Sequence, residues 1–339
     1  MLTRRLALLG TTLFVGAVPA MAQPRHTPSV AQARPGAHGK RDAPAGSPGD
    51  TPLGPVDTTA RWGFIQDFAT GATLFDKQAD EEMPPSSMTK LMTIYLVYER
   101  LKNGRLKLDD ELPVTEKAWR MGGSKMFVQV GTMVKVEDLI RGVIVDSGND
   151  ACIVFAEALA GSEQQFVELM NAKAKELGLT HTNYQNCTGW PDPDQHMSCR
   201  DIATLARHII MDFPEYYHYD SEKTFKYNGI DQGNRNPLVQ RGTADGLKTG
   251  HTEAGGYGLV ASSLRNGRRV ILVLNGMNSM RERAEESERL MDWAFANFED
   301  VTLFAAGDVV ENAKVWLGTS PTVPLVGGRD LIVTMPRNW

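Results

Sequence analysis

A serine and a lysine three residues apart, Ser87 and Lys90, are the pair in this sequence best suited to covalent catalysis. Residues with this spacing on a helix share one face, so the lysine amine can reach the serine hydroxyl. A serine hydroxyl is a weak nucleophile until a neighbouring base accepts its proton. A neutral lysine can be that base, and burial with a second cation nearby, Lys248, lowers a lysine pKa. We therefore expect Lys90 to be largely deprotonated at working pH and to activate Ser87.

Two further motifs carry polar groups that could complete such a site. Ser147-Gly-Asn149 lies between two predicted helices, and Lys248-Thr-Gly250 lies on a predicted strand. Alone, each motif has an ordinary structural explanation as a helix cap or a strand end. Together with Ser87-Met-Thr-Lys90, in this order and context, they form the signature of penicillin-binding proteins and serine β-lactamases.

The elements that position these motifs follow from hydrophobic periodicity and turn residues. Thr70-Gly71 predicts a hairpin, and a helix is predicted to start at Ser86-Ser87 and end at Gly104. Further helices are predicted at residues 136–146, 150–160, 163–177, 200–210 and 281–298, with three strands between residues 246 and 275. Strands at both ends of the segment, with helices between them, predict an α/β (α+β) fold. An antiparallel sheet would be flanked by helices and would carry an inserted helical lobe.

The chain divides into four predicted segments. Arg4 and Arg5 precede an apolar run from Leu6 to Val18, which predicts a signal peptide over residues 1–22 and export to the periplasm or cell envelope. Residues 23–56 are rich in Pro, Gly and Ala and predict a flexible linker. A catalytic domain over residues 57–298 and a partial β-rich domain over residues 299–339 complete the predicted organisation.

Composition excludes several other classes of function. A net charge of −5 without a basic stripe gives no reason to expect nucleic acid as a partner. No His/Cys cluster has metal-ligand spacing, so neither a metal site nor a cofactor is predicted. Three cysteines leave at least one thiol unpaired, and pairing of Cys187 with Cys199 stays open.

The segments around the motifs resemble the low-molecular-weight penicillin-binding proteins that are D-alanyl-D-alanine carboxypeptidases, peptidase family S11. The resemblance runs from about Arg61 to Pro336 and includes residues 83–90, 124–128, 142–151, 234–238 and 245–252. It implies the penicillin-binding protein and serine β-lactamase fold. It also implies removal of the terminal D-alanine from peptidoglycan stem pentapeptides through an acyl-enzyme on Ser87, in peptidoglycan maturation and cell-shape control. β-Lactam antibiotics would inhibit by acylating the same serine.

The resemblance further implies a role for each motif residue. Ser87 would attack the peptide carbonyl, Lys90 would be the general base, Ser147 would relay a proton to the leaving D-alanine, and Asn149 would hydrogen-bond the substrate backbone. Four consecutive residues of one strand would bind the substrate: Lys248, Thr249, Gly250 and His251. Of these, Lys248 and Thr249 would hold its terminal carboxylate. The backbone N–H groups of Ser87 and His251 would hold the oxyanion. The His251 imidazole is expected only to line the cleft.

Two departures from the family pattern bear on specificity and attachment. Cys187 and Trp190 stand where the family more often has Pro and Leu, in a loop expected to border the cleft. The family's C-terminal domain is usually longer and often followed by an amphipathic helix, so peripheral association with the inner membrane stays open.

Two alternative enzymes would use the same groups. A D,D-endopeptidase shares the whole apparatus, and sequence separates it poorly from a carboxypeptidase. A β-lactamase needs an efficient deacylating base, and the sequence offers no clear candidate. An inert cell-wall-binding module is disfavoured because binding alone requires no nucleophile–base pair.

Overall fold

The computed structural model describes residues 47–337. In this range the strands are β1 (Pro48–Gly49), β2 (Val56–Asp57), β3 (Trp62–Asp67), β4 (Thr73–Lys77), β5 (Glu111–Pro113), β6 (Met133–Lys135), β7 (Thr224–Tyr227), β8 (Ile230–Gly233), β9 (Gly246–Thr252), β10 (Gly256–Arg265), β11 (Arg268–Met277), β12 (Phe298–Phe304), β13 (Val309–Lys314), β14 (Thr322–Val326) and β15 (Leu331–Pro336). The α-helices are α1 (Lys90–Lys102), α2 (Glu116–Arg120), α3 (Val136–Ile144), α4 (Asn149–Ala160), α5 (Glu163–Glu176), α6 (Cys199–Asp212), α7 (Pro237–Arg241) and α8 (Met280–Asn297).

A five-stranded antiparallel sheet, in the order β4-β3-β11-β10-β9, is built from both ends of the catalytic segment. Side chains of successive residues along each strand point to opposite faces of the sheet. Leu259 and Leu272 pack on α8, whereas Val260 and Ile271 pack on the helical lobe. Strands β10 and β11 read as nearly continuous apolar runs because helices cover both faces. The predicted α/β (α+β) architecture, with a helical lobe inserted between the strands, is confirmed.

Strand β9 forms one edge of this sheet. It pairs with β10 on one side, with Lys248 opposite Val260 and Thr249 opposite Leu259. Within the described range no strand pairs with its other side. The outer N–H and C=O groups of such an edge can pair with an extended peptide. The Lys248-Thr-Gly250 motif therefore lies where a peptide substrate can add as a further strand.

Helix α4 forms the centre of the helical lobe. It is buried from Asn149 to Ala156 because α1, α2, α3 and α5 surround it. The Asp150 carboxylate at its start accepts hydrogen bonds from the backbone N–H groups of Met126, Phe127 and Val128, at 2.9–3.2 Å. These bonds hold the 122–128 segment beside the Ser147-Gly-Asn149 turn.

The predicted elements of the catalytic segment are confirmed, with boundaries that differ by up to three residues. One detail differs at the predicted nucleophile: a 3₁₀ turn, Ser86–Thr89, precedes α1, so Ser87 lies in that turn and not in the α-helix itself. The hairpin at Thr70-Gly71 joins β3 to β4 as predicted.

The folded body begins earlier in the chain than the predicted linker boundary. Residues 48–49 pair with residues 56–57, and Asp50 pairs with Asp76. The Lys77 ammonium donates to the carbonyls of Ser47 and Ala60, both at 2.6 Å. Long-range contacts thus order a Pro/Gly-rich stretch that has little local preference. The predicted signal peptide and residues 23–46 of the linker lie outside the described residues.

The C-terminal residues form two antiparallel pairs, β12 with β15 and β13 with β14. Arg268 ties them to the catalytic sheet, since its Nε donates to Asp67 at 2.9 Å and to Asp300 at 3.3 Å. Trp316 and Leu317, between β13 and β14, are each 90% exposed. The three cysteines are buried free thiols, so Cys187 and Cys199 do not pair. In the described range no helix is both long and apolar enough to cross a bilayer.

Candidate active site

The Ser87–Lys90 pair is formed as the spacing predicts. The Lys90 amine donates to the Ser87 hydroxyl at 2.8 Å and to the Thr188 carbonyl at 2.6 Å. Lys90 is completely buried, at 0% exposure. The Thr188 contact comes from the loop between α5 and α6, which aims the amine at the serine.

Burial lowers the pKa of Lys90 to about 8, and the nearby Arg235 adds to the effect. The predicted direction of the shift is confirmed. At pH 7 a group with this pKa is about one-tenth deprotonated, so the neutral base is a minority form there and not the main one. Its population rises steeply between pH 6 and pH 8.

Close backbone packing surrounds Ser87. Ser86 has a left-handed backbone (φ 52°), an unusual conformation for a residue other than glycine. A Cβ at Gly189 (φ +84°) would lie 1.8 Å from the Ser86 carbonyl, and a Cβ at Gly250 would lie 3.3 Å from the Ser87 backbone nitrogen. The loop at Gly189 and strand β9 at Gly250 can approach this closely because neither residue has a side chain.

The other motif residues surround the same space. A cavity of about 410 Å³ is lined by Ser87, Ser147, Thr249, Gly250 and His251, among others. A neighbouring cavity of about 540 Å³ is lined by Ser87, Asn149 and His251. Ser147 has a left-handed backbone (φ 57°) and is 2% exposed. Turn, helix and strand thus bring the predicted groups to one cleft.

Lys248 lies on β9 directly beside Thr249 and is 4% exposed. Burial, then the charges of Lys90 and Arg235, hold its pKa well below the ordinary lysine value. A carboxylate bound next to this amine would favour the ammonium form again.

Asn149 and His251 occupy distinct positions at the mouth of the cleft. The Asn149 side-chain amide donates to the Gly122 carbonyl at 2.8 Å, which fixes its orientation. The His251 ring is exposed and stacks on Tyr257, with ring centroids 3.9 Å apart. The imidazole lines the cleft, as predicted, while its backbone belongs to the β9 edge.

Sequence reasoning missed two arginines of the site. Arg235 and Arg283 line the 410 Å³ cavity together with Ser147 and Thr249. Burial lowers the pKa of both guanidinium groups, that of Arg283 to about 10. Arg235 belongs to a segment that resembles the family and could have been found on that signal. Arg283 lies on α8 in a charged helical run and has no distinguishing local pattern.

Sequence reasoning also missed Asp146, which precedes Ser147. Its side chain is 1% exposed, and neither carboxylate oxygen has a hydrogen-bond partner among the described residues. Burial raises its pKa to about 7, an effect that Arg235 partly opposes. The carboxyl therefore titrates near neutral pH beside the inter-helix serine.

Within residues 47–337 no group of three or more His, Cys, Asp or Glu side chains is arranged to hold a metal ion. A nucleophile, an amine base, a second hydroxyl and a cationic pocket are all present, which together suit acyl transfer from a substrate that ends in a carboxylate.

Comparison with known proteins gives the same result. The family model described as D-alanyl-D-alanine carboxypeptidase matches residues 50–279, and that of the penicillin-binding protein 5 C-terminal domain matches residues 298–338. The D-alanyl-D-alanine carboxypeptidase DacC of Escherichia coli is 42% identical over 82% of this chain and 72% of its own. The structure of penicillin-binding protein 5 from Haemophilus influenzae is 40% identical with a TM-score of 0.79, covering 84% of each chain. Penicillin-binding protein D2 from Listeria monocytogenes, in an ampicillin-bound form, is 28% identical over 71% of this chain and 98% of its own, with a TM-score of 0.65.

Replacing Asp146 by Asn is expected to change how stability depends on pH. A carboxyl whose folded pKa is raised binds its proton more tightly in the folded state, so the wild type loses stability as pH rises from about 4 to about 7. The Asn side chain cannot ionise, so the variant does not lose this stability as the pH rises. We expect Asp146→Asn to exceed the wild type by roughly 2–4 kcal/mol at pH 8 and by much less at pH 4.5. Urea unfolding at both pH values measures this difference. Asp109→Asn, at an exposed position, is the control, and an equal effect at both pH values would contradict the expectation.

Proposed function

Because this chain belongs to the D-alanyl-D-alanine carboxypeptidase family of serine peptidases, peptidase family S11, we propose that Ser87 is its nucleophile and Lys90 its general base. The chain is a low-molecular-weight penicillin-binding protein and a serine-type D-Ala–D-Ala carboxypeptidase. The observation that carries the assignment is the buried 2.8 Å contact between the Lys90 amine and the Ser87 hydroxyl. The proposal concerns which residues act, and in what order.

Acylation begins when the Ser87 oxygen attacks the carbonyl between the last two D-alanines of a stem pentapeptide, and its proton passes to neutral Lys90. The tetrahedral intermediate collapses when the carbon–nitrogen bond breaks. As that bond breaks, Ser147 relays the proton held by Lys90 to the leaving amine, so that free D-alanine departs and Lys90 becomes neutral again. Water hydrolyses the Ser87 ester and releases the tetrapeptide. Ser87 and Ser147 line the cleft, and Lys90 is buried directly behind Ser87, within hydrogen-bond distance of its hydroxyl.

Carboxylate recognition belongs to the cationic end of the cleft. Lys248 and Thr249 on β9 bind the terminal carboxylate, and Arg235 and Arg283 add two guanidinium groups to the cavity that Thr249 lines. Lys248, Thr249 and Arg283 are buried, which strengthens their interactions with an anion compared with those in water. A free C-terminal carboxylate is what distinguishes a carboxypeptidase substrate from an internal peptide bond.

Backbone groups hold the rest of the substrate. The N–H groups of Ser87 and His251 form the oxyanion hole, and the absence of a side chain at Gly250 lets β9 approach the serine this closely. Each such donor is typically worth about 3 kcal/mol in the transition state. The Asn149 amide and the outer edge of β9 bind the extended peptide backbone.

β-Lactam antibiotics acylate Ser87 by the same attack on their strained amide. Among the described residues of the cleft no carboxylate hydrogen-bonds either Ser87 or Lys90, so no carboxylate base is placed to activate water for rapid release, as a β-lactamase requires. This favours a long-lived penicilloyl-enzyme over a β-lactamase. A D,D-endopeptidase requires the cationic end of the cleft to accept an amide in place of the free carboxylate.

We also propose that the chain is exported and acts in the periplasm on stem pentapeptides. Support comes from the Arg4–Arg5 pair, the apolar run to Val18 and the Ala20-Met-Ala22 site. Mass spectrometry of the protein secreted by a bacterial host is expected to find Gln23 as the first residue. A retained Met1 on the exported protein would contradict cleavage.

Replacing Ser87 by Ala is expected to abolish both D-alanine release and covalent labelling by penicillin, because both reactions form an ester on its oxygen. A synthetic pentapeptide that ends in D-Ala–D-Ala, with free D-alanine as the readout, measures the first. Fluorescent penicillin followed by electrophoresis measures the second. Ser86→Ala, at the neighbouring buried serine, controls for loss of folding. Retention of either activity by Ser87→Ala would refute the assignment.

Faster release from a cross-linked dimer peptide than from the pentapeptide would favour the endopeptidase, and rapid turnover of penicillin would favour the β-lactamase.

The acylation rate is expected to rise with pH and to level off above the pKa of Lys90, near 8, because only the neutral amine accepts the serine proton. Below that value the rate falls about tenfold per pH unit. The second-order rate constant for penicillin acylation from pH 6 to pH 9 measures this. Lys90→Arg keeps a cation that cannot deprotonate and should acylate at least about 100-fold more slowly at every pH. A rate that does not vary over this pH range, or an active Lys90→Arg variant, would exclude Lys90 as the base.

A further inference from the structure

The cleft extends well beyond the catalytic groups. The 410 Å³ and 540 Å³ cavities share Ser87 and His251, and a third cavity of about 440 Å³ shares Trp190 and Pro191 with the second. The three form one groove that passes the nucleophile. A substrate whose carboxylate lies at the Lys248 end must extend its preceding residues toward the Trp190 end.

Charge is unevenly distributed along this groove. The lining of the first cavity includes Arg235 and Arg283 and no carboxylate. The linings of the second and third include Glu253, Asp192 and Glu82 and neither Lys nor Arg. Glu253 and Asp192 are both exposed, although one Asp192 oxygen accepts from the Asp194 N–H at 2.9 Å, and Glu82 lies 3.9 Å from the His196 ring. The groove is therefore cationic at one end and anionic at the other.

Trp190 forms the wall between the second and third cavities. Its ring lies against the 122–123 backbone, since a Cβ at Gly123 would come within 3.1 Å of it. Its own backbone is held by Asn186, whose side chain accepts from the Trp190 N–H at 3.0 Å and donates to the Trp190 carbonyl at 2.9 Å. The ring is nevertheless 47% exposed, so one apolar face remains open to the groove.

We propose that Trp190, with Glu253 and Asp192, forms a subsite for the stem-peptide residue that precedes the two D-alanines, and that it selects a side chain ending in a free ammonium group. This inference rests on the proposed function, which fixes the direction of the substrate along the groove. Trp190 is then a specificity-determining residue of the carboxypeptidase reaction.

The chemistry of such a side chain matches both the apolar face of Trp190 and the charges of the groove. An alkyl chain can lie along the exposed indole face and remove apolar surface from water. The ammonium at its end is attracted by the indole ring and by the two carboxylates. The terminal carboxylate of the same peptide meets Arg235 and Arg283 at the other end. The charge polarity of the groove therefore matches that of a peptide with an anionic end and a cationic side chain.

The test compares two pentapeptides that both end in D-Ala–D-Ala. One carries lysine at the third position with a free side-chain amine, and the other carries the same lysine acetylated on that amine. We expect the wild type to show a KM about five- to tenfold lower for the free amine, with similar kcat. Trp190→Leu should raise KM for the free-amine peptide about fivefold, change kcat less than twofold, and weaken the preference. Trp190→Phe should restore part of it, and Glu253→Gln should weaken it by a similar factor.

Trp316→Leu is the matched control, because it removes an exposed indole from the C-terminal segment, outside the groove. Cooperative thermal unfolding of each variant verifies that it is folded. Equal KM values of the wild type for the two peptides, or an unchanged KM in Trp190→Leu, would overturn the subsite while D-alanine release still supports the carboxypeptidase. No release from either peptide by the wild type would overturn both proposals.

Discussion

Two lysine amines, those of Lys90 and Lys248, are buried next to one cleft without an acidic partner. Neither forms an ion pair with a carboxylate of the described residues, and burial lowers the pKa of both. Burial of a single unpaired ammonium is unfavourable, and two in one site also repel each other. The site depends on this constraint, because it keeps part of Lys90 neutral and leaves Lys248 ready to bind an anion.

The surrounding fold must be firm enough to hold that arrangement. Ser86 and Ser147 both adopt left-handed backbone conformations, and such local strain persists only where the neighbouring packing enforces it. Here the enforcement comes from a continuous core that joins α1, α4, α6 and one face of the sheet. The Asp150 carboxylate adds three backbone hydrogen bonds that hold the 122–128 segment against α4. Core packing and hydrogen bonds thus surround the elements that carry the buried amines and the two left-handed serines.

The electrostatic layout of the cleft extends this principle to the substrate. Arg235 and Arg283 line the end of the cleft that also holds Thr249, and exposed carboxylates line the two cavities on either side of Trp190. Under the proposed function, a peptide with the complementary charges would align along the β9 edge with its scissile bond at Ser87. Orientation by charge at both ends lowers the entropy cost of presenting one bond to one nucleophile.

Much of this protein was determined by local sequence. The three motifs, the hairpin at Thr70-Gly71 and the helix limits follow from periodicity and turn residues, which act over a few positions. Only the tertiary structure brings together residues from distant positions in the chain. Arg235 and Arg283 line one cavity, the Asp146 carboxylate has no hydrogen-bond partner among the described residues, and Trp190 packs across the 122–123 backbone. The ordering of the stretch from residue 47 has the same origin, because Lys77 and Phe75 contact residues that have little preference of their own for any secondary structure. Propensity acts between neighbours in the chain, whereas burial, pKa and pocket charge depend on which residues the fold brings together.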